Sequence, residues 1–364
     1  MKNVLGTNLT ITLFGESHNQ FIGATLDGVC PGIKVDEEDI KKQLSKRRPK
    51  SNIETPRIEN DNFQIISGVF NGYTTGAPLT ILIENTNIKS KDYDKQKDIA
   101  RPSHADYTAH VKYNGYNDYR GGGHFSGRIT APIVAIGSIL LKALKEKNIY
   151  IGTHILECGK VKDRNFENYL EDIILLQNND FPVLENIKDN ITEEILKVAK
   201  NNDSIGGILQ SAIIGLPVGL GEPWFSSVEG QIANAMFSIG GVKGIEFGAG
   251  FSYKELTGLN ANDEFYYENE TVKTKTNNNG GINGGITNGM PIVFNLAVKP
   301  TPSIGIEQQT INFTNKENTL LKTNGRHDPA IIRRMSVVID SLLAIVVCDM
   351  LATRYGNDFL KLGE

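Results

Sequence analysis

Cysteine is scarce in this chain. Only Cys30, Cys158 and Cys348 occur in 364 residues, too few and too scattered for a disulfide framework or a thiolate metal site, so a reducing cytoplasm is the expected compartment. Neither charge sign prevails: 38 lysines and arginines face 42 aspartates and glutamates, a formal charge of −4. The net basic field that nonspecific nucleic-acid binding requires is missing. The opening MKNVLGTNLTITLFGES lacks the continuous apolar stretch of a secretory signal. The longest apolar run toward the other end, 342–348, is bounded by Asp340 and Asp349 and is too short to span a bilayer. With 39% hydrophobic and 22% charged residues the chain has material for a core and is not disordered. Glycine is plentiful, at 37 residues, and needs an explanation.

The glycines fall in blocks that occur twice in the same order. Gly23 to Gly32, ending Cys30-Pro31-Gly32, precedes an acidic run and a helical stretch; Gly207 to Gly219, ending Leu216-Pro217-Val218-Gly219, precedes Glu222-Pro223 and another. Each reads as strand, Gly/Pro turn and helix with acidic residues at its favourable end. Asn71-Gly72 and Asn288-Gly289 each lie between apolar segments, a strong local hairpin signal, although the first connection reads as longer than a two-residue turn. Pro132 and Pro329 each open a long apolar helix. The pattern predicts one structural unit used twice, over about 1–150 and 200–355, within a single domain 1–364, joined by a polar helical insert 151–199. A cleft is expected where the halves meet.

Basic residues share the glycine-rich segments: Lys46-Arg47-Arg48-Pro49, Arg101-Pro102-Ser103-His104-Ala105-Asp106, Arg120-Gly121-Gly122-Gly123-His124-Phe125-Ser126-Gly127-Arg128, and Gly325-Arg326-His327-Asp328-Pro329. Glycine lets the backbone approach a ligand closely and guanidinium groups bind oxyanions bidentately. Such clustering in an acidic chain points to a small polyanion, while for any one arginine a solvent salt bridge stays open. The run 120–128 lacks the lysine-serine or lysine-threonine ending of a nucleotide phosphate loop.

Six histidines occur, and His18, His104, His124 and His327 lie in these segments. Histidine is the side chain best suited to move a proton near neutral pH. Ser17 beside His18 does not read as a nucleophile and base, since adjacent side chains rarely aim together. His104 and His110 match no standard zinc spacing, and His154 reads as a packed strand residue. Asp328 reads either as a cap on the last helix or as an acid or base, and both can hold.

Those motifs carry a resemblance. Phe14-Gly15-Glu16-Ser17-His18, Asp27-Gly28-Val29-Cys30-Pro31-Gly32-Ile33, Arg47-Arg48-Pro49, Ser67-Gly68-Val69-Phe70, Arg101 through Tyr107, Asp118-Tyr119-Arg120 with its triple glycine, Gly219-Leu220-Gly221-Glu222-Pro223, Val242-Lys243-Gly244-Ile245-Glu246, Lys299-Pro300-Thr301-Pro302-Ser303 and Gly325 through Pro329 resemble chorismate synthase over essentially the whole chain. The resemblance implies an α+β fold: a β-α-β sandwich core with internal pseudo-two-fold duplication, helices flanking antiparallel sheets, assembled as a homotetramer. It implies a lyase that removes phosphate from 5-enolpyruvylshikimate 3-phosphate by 1,4-anti-elimination. Reduced FMN is needed but no net oxidation occurs.

By the same resemblance Arg47, Arg48, Arg101 and Arg128 meet substrate oxygens. Ser126, Gly240, Gly241, Gly284, Lys299, Ser303 and Arg326 contact FMN. His18 is the general acid toward the leaving phosphate, His104 stands near the flavin, and Asp328 works beside it in removal of the ring proton. Two anions held together in one cleft call for cations between them. This chain departs from the family at Asn19, where most members have glycine, and at His124-Phe125-Ser126-Gly127-Arg128-Ile129-Thr130. Asn19 needs room or a positive-φ turn. Ile53 stands where some members carry an arginine linked to NADP use. With no obvious large insertion, the chain is expected to depend on FMN reduced by an external reductase. Two rival readings are a flavin-independent phosphatase or transferase, and a noncatalytic flavin- or anion-binding protein.

Overall fold

The computed structural model describes residues 2–51, 53–55, 59–86, 97–323 and 328–361. Its core is one four-strand pattern used twice. In the first sheet Thr10–Gly15, Phe21–Asp27, Leu79–Glu84 and Phe63–Ser67 lie side by side; in the second, Tyr150–Cys158, Gly207–Ile214, Ile292–Val298 and Val242–Phe247 do. In both, the neighbours run first, second, fourth, third in chain order and every pairing is antiparallel. A short edge strand completes each sheet, Val4–Leu5 in the first and Val161–Lys162 in the second. A helix separates the second and third strands of each unit, Glu37–Arg47 and Val228–Ser238, and a long helix follows the fourth, Thr130–Glu146 and Ile332–Tyr355. Alternation makes the strands: Leu79, Ile81 and Ile83 are fully buried on one face, as are Ile292, Phe294 and Leu296 in the second unit.

The duplication extends to single hydrogen bonds. The Thr74 hydroxyl donates to the Cys30 carbonyl at 2.7 Å and accepts from the Ile33 amide at 2.9 Å. The Thr287 hydroxyl donates to Pro217 at 2.7 Å and accepts from Leu220 at 2.9 Å. The backbones of Thr74 and Thr287 also bond the same way, to Gly32 and Ile33 and to Gly219 and Leu220. The matching hairpin turns are therefore Asn71-Gly72 and Gly284-Gly285, all four residues at positive φ, and Asn288-Gly289 follows its hairpin instead of making it. The first turn is a two-residue turn after all, since Val69 and Phe70 pair with Thr74 and Tyr73. Replacing Thr74 by valine, which keeps the shape, leaves a buried carbonyl and amide unpaired. Denaturant unfolding should show a loss of about 2–4 kcal/mol, with the same from Thr287→Val.

The helices form a layer between the two sheets: Thr130–Glu146 packs on the first sheet, Ile332–Tyr355 on the second, and the two pack on each other. They cross so closely that a Cβ on Gly137 would lie 2.3 Å from the Ser341 Cβ. Both are long and apolar enough to cross a membrane, but 78% and 94% of their most apolar windows are buried inside the protein, as core helices are. The expected helix from Pro329 begins only at Ile332. Of the segment 151–199, the first residues continue the strand Tyr150–Cys158 inside the second sheet. Only afterwards do helices Tyr169–Asn178 and Lys188–Ala199 follow. Phe166, Ile173, Leu176 and Leu184 pack with Ala212 on that sheet.

Candidate active site

Where the amino ends of the two long helices approach each other, a cavity of about 910 Å³ opens between the halves. One wall is apolar, with Ile11, Leu13, Ile133, Met335, Val338 and Leu342. The rest is strongly basic. Among the described lining residues Lys2, Arg47, Arg48, Arg128, Lys243, Lys299 and Arg334 face only Glu59, Asp61 and Asp328. A formal surplus of four positive charges thus sits in a chain of net charge −4. Helix amino ends add to that field.

The arginines are placed by backbone oxygens. The helix Glu37–Arg47 starts on the Asp36 side chain, carries acids in its first turn and ends on Lys46 and Arg47, in keeping with its dipole. Arg47 then donates to Thr130 Oγ1 at 2.9 Å and the Gly127 carbonyl at 2.8 Å. Burial pushes its pKa down to about 10; Asp61 opposes this and Arg128 adds to it, so Arg47 stays charged at neutral pH. Arg128 donates to Asn85 Oδ1 at 2.9 Å and the Glu84 carbonyl at 3.0 Å, and pairs with Glu59 and Asp61. Asp61 thus sits among Arg47, Arg48 and Arg128. Across the cavity Asp328 pairs through Oδ2 with Arg334. Arg48 Nε, Arg334 Nε, Thr301 Oγ1 and Asp328 Oδ1 are buried with no hydrogen-bond partner among the described residues. The unused donors of Arg334 and Thr301 in a basic cavity with an apolar wall fit a ligand that is partly apolar and carries anionic groups.

The triple glycine explains how two histidines come together. Gly121, Gly122 and Gly123 all hold positive φ, where a side chain is disfavoured. A Cβ on Gly121 would lie 2.2 Å from His18 Cε1, and one on Gly122 would lie 3.5 Å from His104 Cε1. The two rings therefore flank one turn. Ser17 and His18 do meet, with Oγ 2.9 Å from Nδ1, because the tight turn after Gly15 folds both toward the glycines. Ser17 Oγ also lies 3.2 Å from the carbonyls of Arg120 and Gly121, which can only accept. With its proton there, the hydroxyl accepts from Nδ1–H, which sets the tautomer of the ring.

His104 is held by its neighbours in the same loop. Its Nδ1 lies 2.8 Å from Asp106 Oδ1, and Arg101 donates to both carboxylate oxygens of Asp106 at 2.7 and 2.8 Å. Burial would raise the Asp106 pKa, but the hydrogen bonds from Arg101 and His104 outweigh it and hold it well below the usual carboxylate range. A depressed folded pKa contributes stability that is present above the unfolded value of about 3.9 and lost as pH falls toward the folded one. The Tm gap between wild type and Asp106→Asn should therefore be steady near neutral pH and close below about pH 4.

Of the residues predicted from sequence, Arg47, Arg48, His104, Ser126, Arg128, Gly240, Gly241, Lys299 and Asp328 line this one cavity. Lys299 also ties the halves, donating to the Ser103 carbonyl at 2.6 Å, and burial with Lys243 nearby lowers its pKa. Arg101 does not line the cavity, because its guanidinium is spent on Asp106. His18, Gly284 and Ser303 do not line it either: His18 is buried behind Gly121, and Gly284 is exposed in its hairpin turn. Arg326 lies outside the described residues. Asp328 does not cap the last helix, whose start carries no side-chain cap. Asn19 finds room at the surface without positive φ, beside Glu16. Phe125 lines the cavity and meets Tyr113 edge-on at 6.2 Å, while His124 Nδ1 lies 2.8 Å from the Gly15 carbonyl. Ile53 is buried, and so is His154, edge-on to Phe166.

Glu59, Asp61, Thr301 and Arg334 are members that sequence reasoning missed. Only Arg334 had a signal, as a basic residue two positions into a helix that follows the Asp328 motif.

A family model described as chorismate synthase matches residues 9–352. A chorismate synthase of Pyrococcus abyssi is 43% identical, covering 96% of this chain and 97% of its own. One of Methanocaldococcus jannaschii is 42% identical, covering 96% of each. One of Dehalococcoides mccartyi is 42% identical, covering 98% of each. A crystal structure of a chorismate synthase superposes with a TM-score of 0.76 at 28% identity, over 97% of this chain and 94% of that one. Sequence and fold agree along the whole length, and the chain belongs to the chorismate synthase family of lyases.

Proposed function

We propose that the chain makes chorismate from 5-enolpyruvylshikimate 3-phosphate by 1,4-anti-elimination of phosphate, with reduced FMN present and no net oxidation. The observation that carries this reading is the surplus of four positive charges around an apolar-walled cavity in an acidic chain. Arg47, Arg48 and Arg128 hold the substrate's phosphate and carboxylates, where guanidinium forks match oxyanions. Ser126, Gly240, Gly241 and Lys299 would hold FMN; Gly284 and Ser303, which do not line the cavity, and Arg326 are assigned to it by family likeness alone. The chemistry that reduced FMN would supply if held there is electron density for C–O cleavage, without net oxidation.

The chain's own groups handle the protons. As the C–O bond breaks, phosphate leaves with the electron pair, and by family likeness His18, although it stands behind Gly121 and outside the cavity lining, is the acid that meets the charge developing on it. His104, fixed by Asp106 and Arg101, keeps its Nε2 for the flavin side. Asp328 is clamped by Arg334 at one oxygen and keeps the other for the side where the ring proton is lost. Cations on both anions offset a repulsion that a low-dielectric cleft would magnify.

Anaerobic incubation with 5-enolpyruvylshikimate 3-phosphate, following chorismate absorbance and phosphate together, tests this. Equal amounts of both should form with reduced FMN and neither without it; full-rate turnover in the absence of flavin refutes the cofactor assignment. We further propose a homotetramer that draws on externally reduced FMN, which light scattering and a reductase-coupled assay address.

A further inference from the structure

Consecutive arginines open the last helix, and the structure uses them differently. Arg334 faces the cavity. Arg333 is 5% exposed and turns the other way, onto the end of the helix Glu37–Arg47. Its Nη1 donates to the Lys46 carbonyl at 3.0 Å and to that of Asp180 at 3.3 Å, and its Nη2 to the Arg48 carbonyl at 2.6 Å. Its Nε pairs with the buried Glu54, whose other oxygen accepts from the Lys50 amide at 2.7 Å.

The last carbonyls of a helix have no partners within it. Here one guanidinium from a distant helix takes two carbonyls flanking Arg47, and its counter-ion takes the amide two residues after Arg48. A cation at that end also suits the helix dipole. The backbone is thereby pinned on both sides of the two arginines that face the cavity.

We propose that Arg333, with Glu54, is the positioning residue for Arg47 and Arg48. It determines where the first helix stops and so where their guanidinium groups stand. The proposal rests on the reading that those arginines hold the phosphorylated substrate. A lysine could not replace it, since one ammonium cannot reach acceptors spread over a planar fork.

A double-mutant cycle with the FMN-loaded protein tests it, using wild type, Arg333→Gln, Arg47→Ala and the pair. Calorimetric binding of 5-enolpyruvylshikimate 3-phosphate and separate binding of FMN are the readouts. Arg333→Gln should weaken substrate by about 10- to 100-fold, leave FMN affinity unchanged, and cost less than about threefold once Arg47 is already alanine. An equal loss in both backgrounds, or parallel losses of substrate and FMN, makes Arg333 a general stabiliser and overturns the proposal. If Arg47→Ala alone binds substrate like wild type, the substrate reading falls, and the positioning role with it. Should Arg333→Gln fail to fold, Glu54→Gln keeps an acceptor for the Lys50 amide and removes the charge; it should give the same pattern at about 3- to 10-fold, and no loss there also refutes the role.

Discussion

Replacing His18 by alanine should lower kcat by about 10²- to 10⁴-fold, the range that a positioned proton donor contributes, with little change in KM. Gly121→Ala should reproduce much of that loss with the histidine still present. Its Cβ would stand 2.2 Å from His18 Cε1, 2.4 Å from Nδ1 and 2.8 Å from Ser17 Oγ, at a φ of +59°. The ring must then move off the nitrogen geometry that Ser17 sets. Because both changes remove the same arrangement, Gly121→Ala should cost little further on the His18→Ala background. Steady-state kinetics of the four proteins under anaerobic conditions check this. If Gly121→Ala turns over at the wild-type rate, the glycine is not there to admit the imidazole.

Arg128→Ala is expected to be the most damaging arginine change. The side chain is 5% exposed, and its partners Glu59 and Asp61 are themselves 6% and 3% exposed. Removing the guanidinium takes this buried cation away from Glu59 and leaves Asp61 only its longer contacts to Arg47 and Arg48 at 3.8 and 3.6 Å, a loss of about 3–5 kcal/mol. Substrate affinity should fall with it. Asp61→Asn added to Arg128→Ala should recover part of the stability, since it removes one of the two buried carboxylates that lose Arg128, but none of the affinity. Denaturant unfolding and calorimetry on the same samples separate the two effects. If Asp61→Asn brings no recovery of stability, the ion pair is not what Arg128 contributes.

Local chemistry was legible wherever it is carried by short-range steric rules. The glycine blocks marked turns correctly because positive φ at Gly28, Gly32, Gly219 and Gly289 is a property of a few adjacent residues. The pairing of halves was legible as well, although Asn288-Gly289 drew attention away from Gly284-Gly285, the turn that matches Asn71-Gly72. Asn-Gly is the stronger signal, but two glycines reach the same backbone. Asp328 was misread as a possible cap because the motif places it just before an apolar run, whereas a long-range ion pair with Arg334 claims its side chain.

The sequence by itself determined which residue types gather near which turns, and that the chain folds as a repeated strand-turn-helix unit. Periodicity and glycine placement act over a handful of residues, so they can be read without coordinates. Tertiary structure alone decided which cations share a cavity and what neutralises each. Arg128 meets Glu59 and Asp61, and Arg333 meets Glu54 from 279 residues away. Coulombic and hydrogen-bond partners are chosen by distance in space, which chain order does not encode.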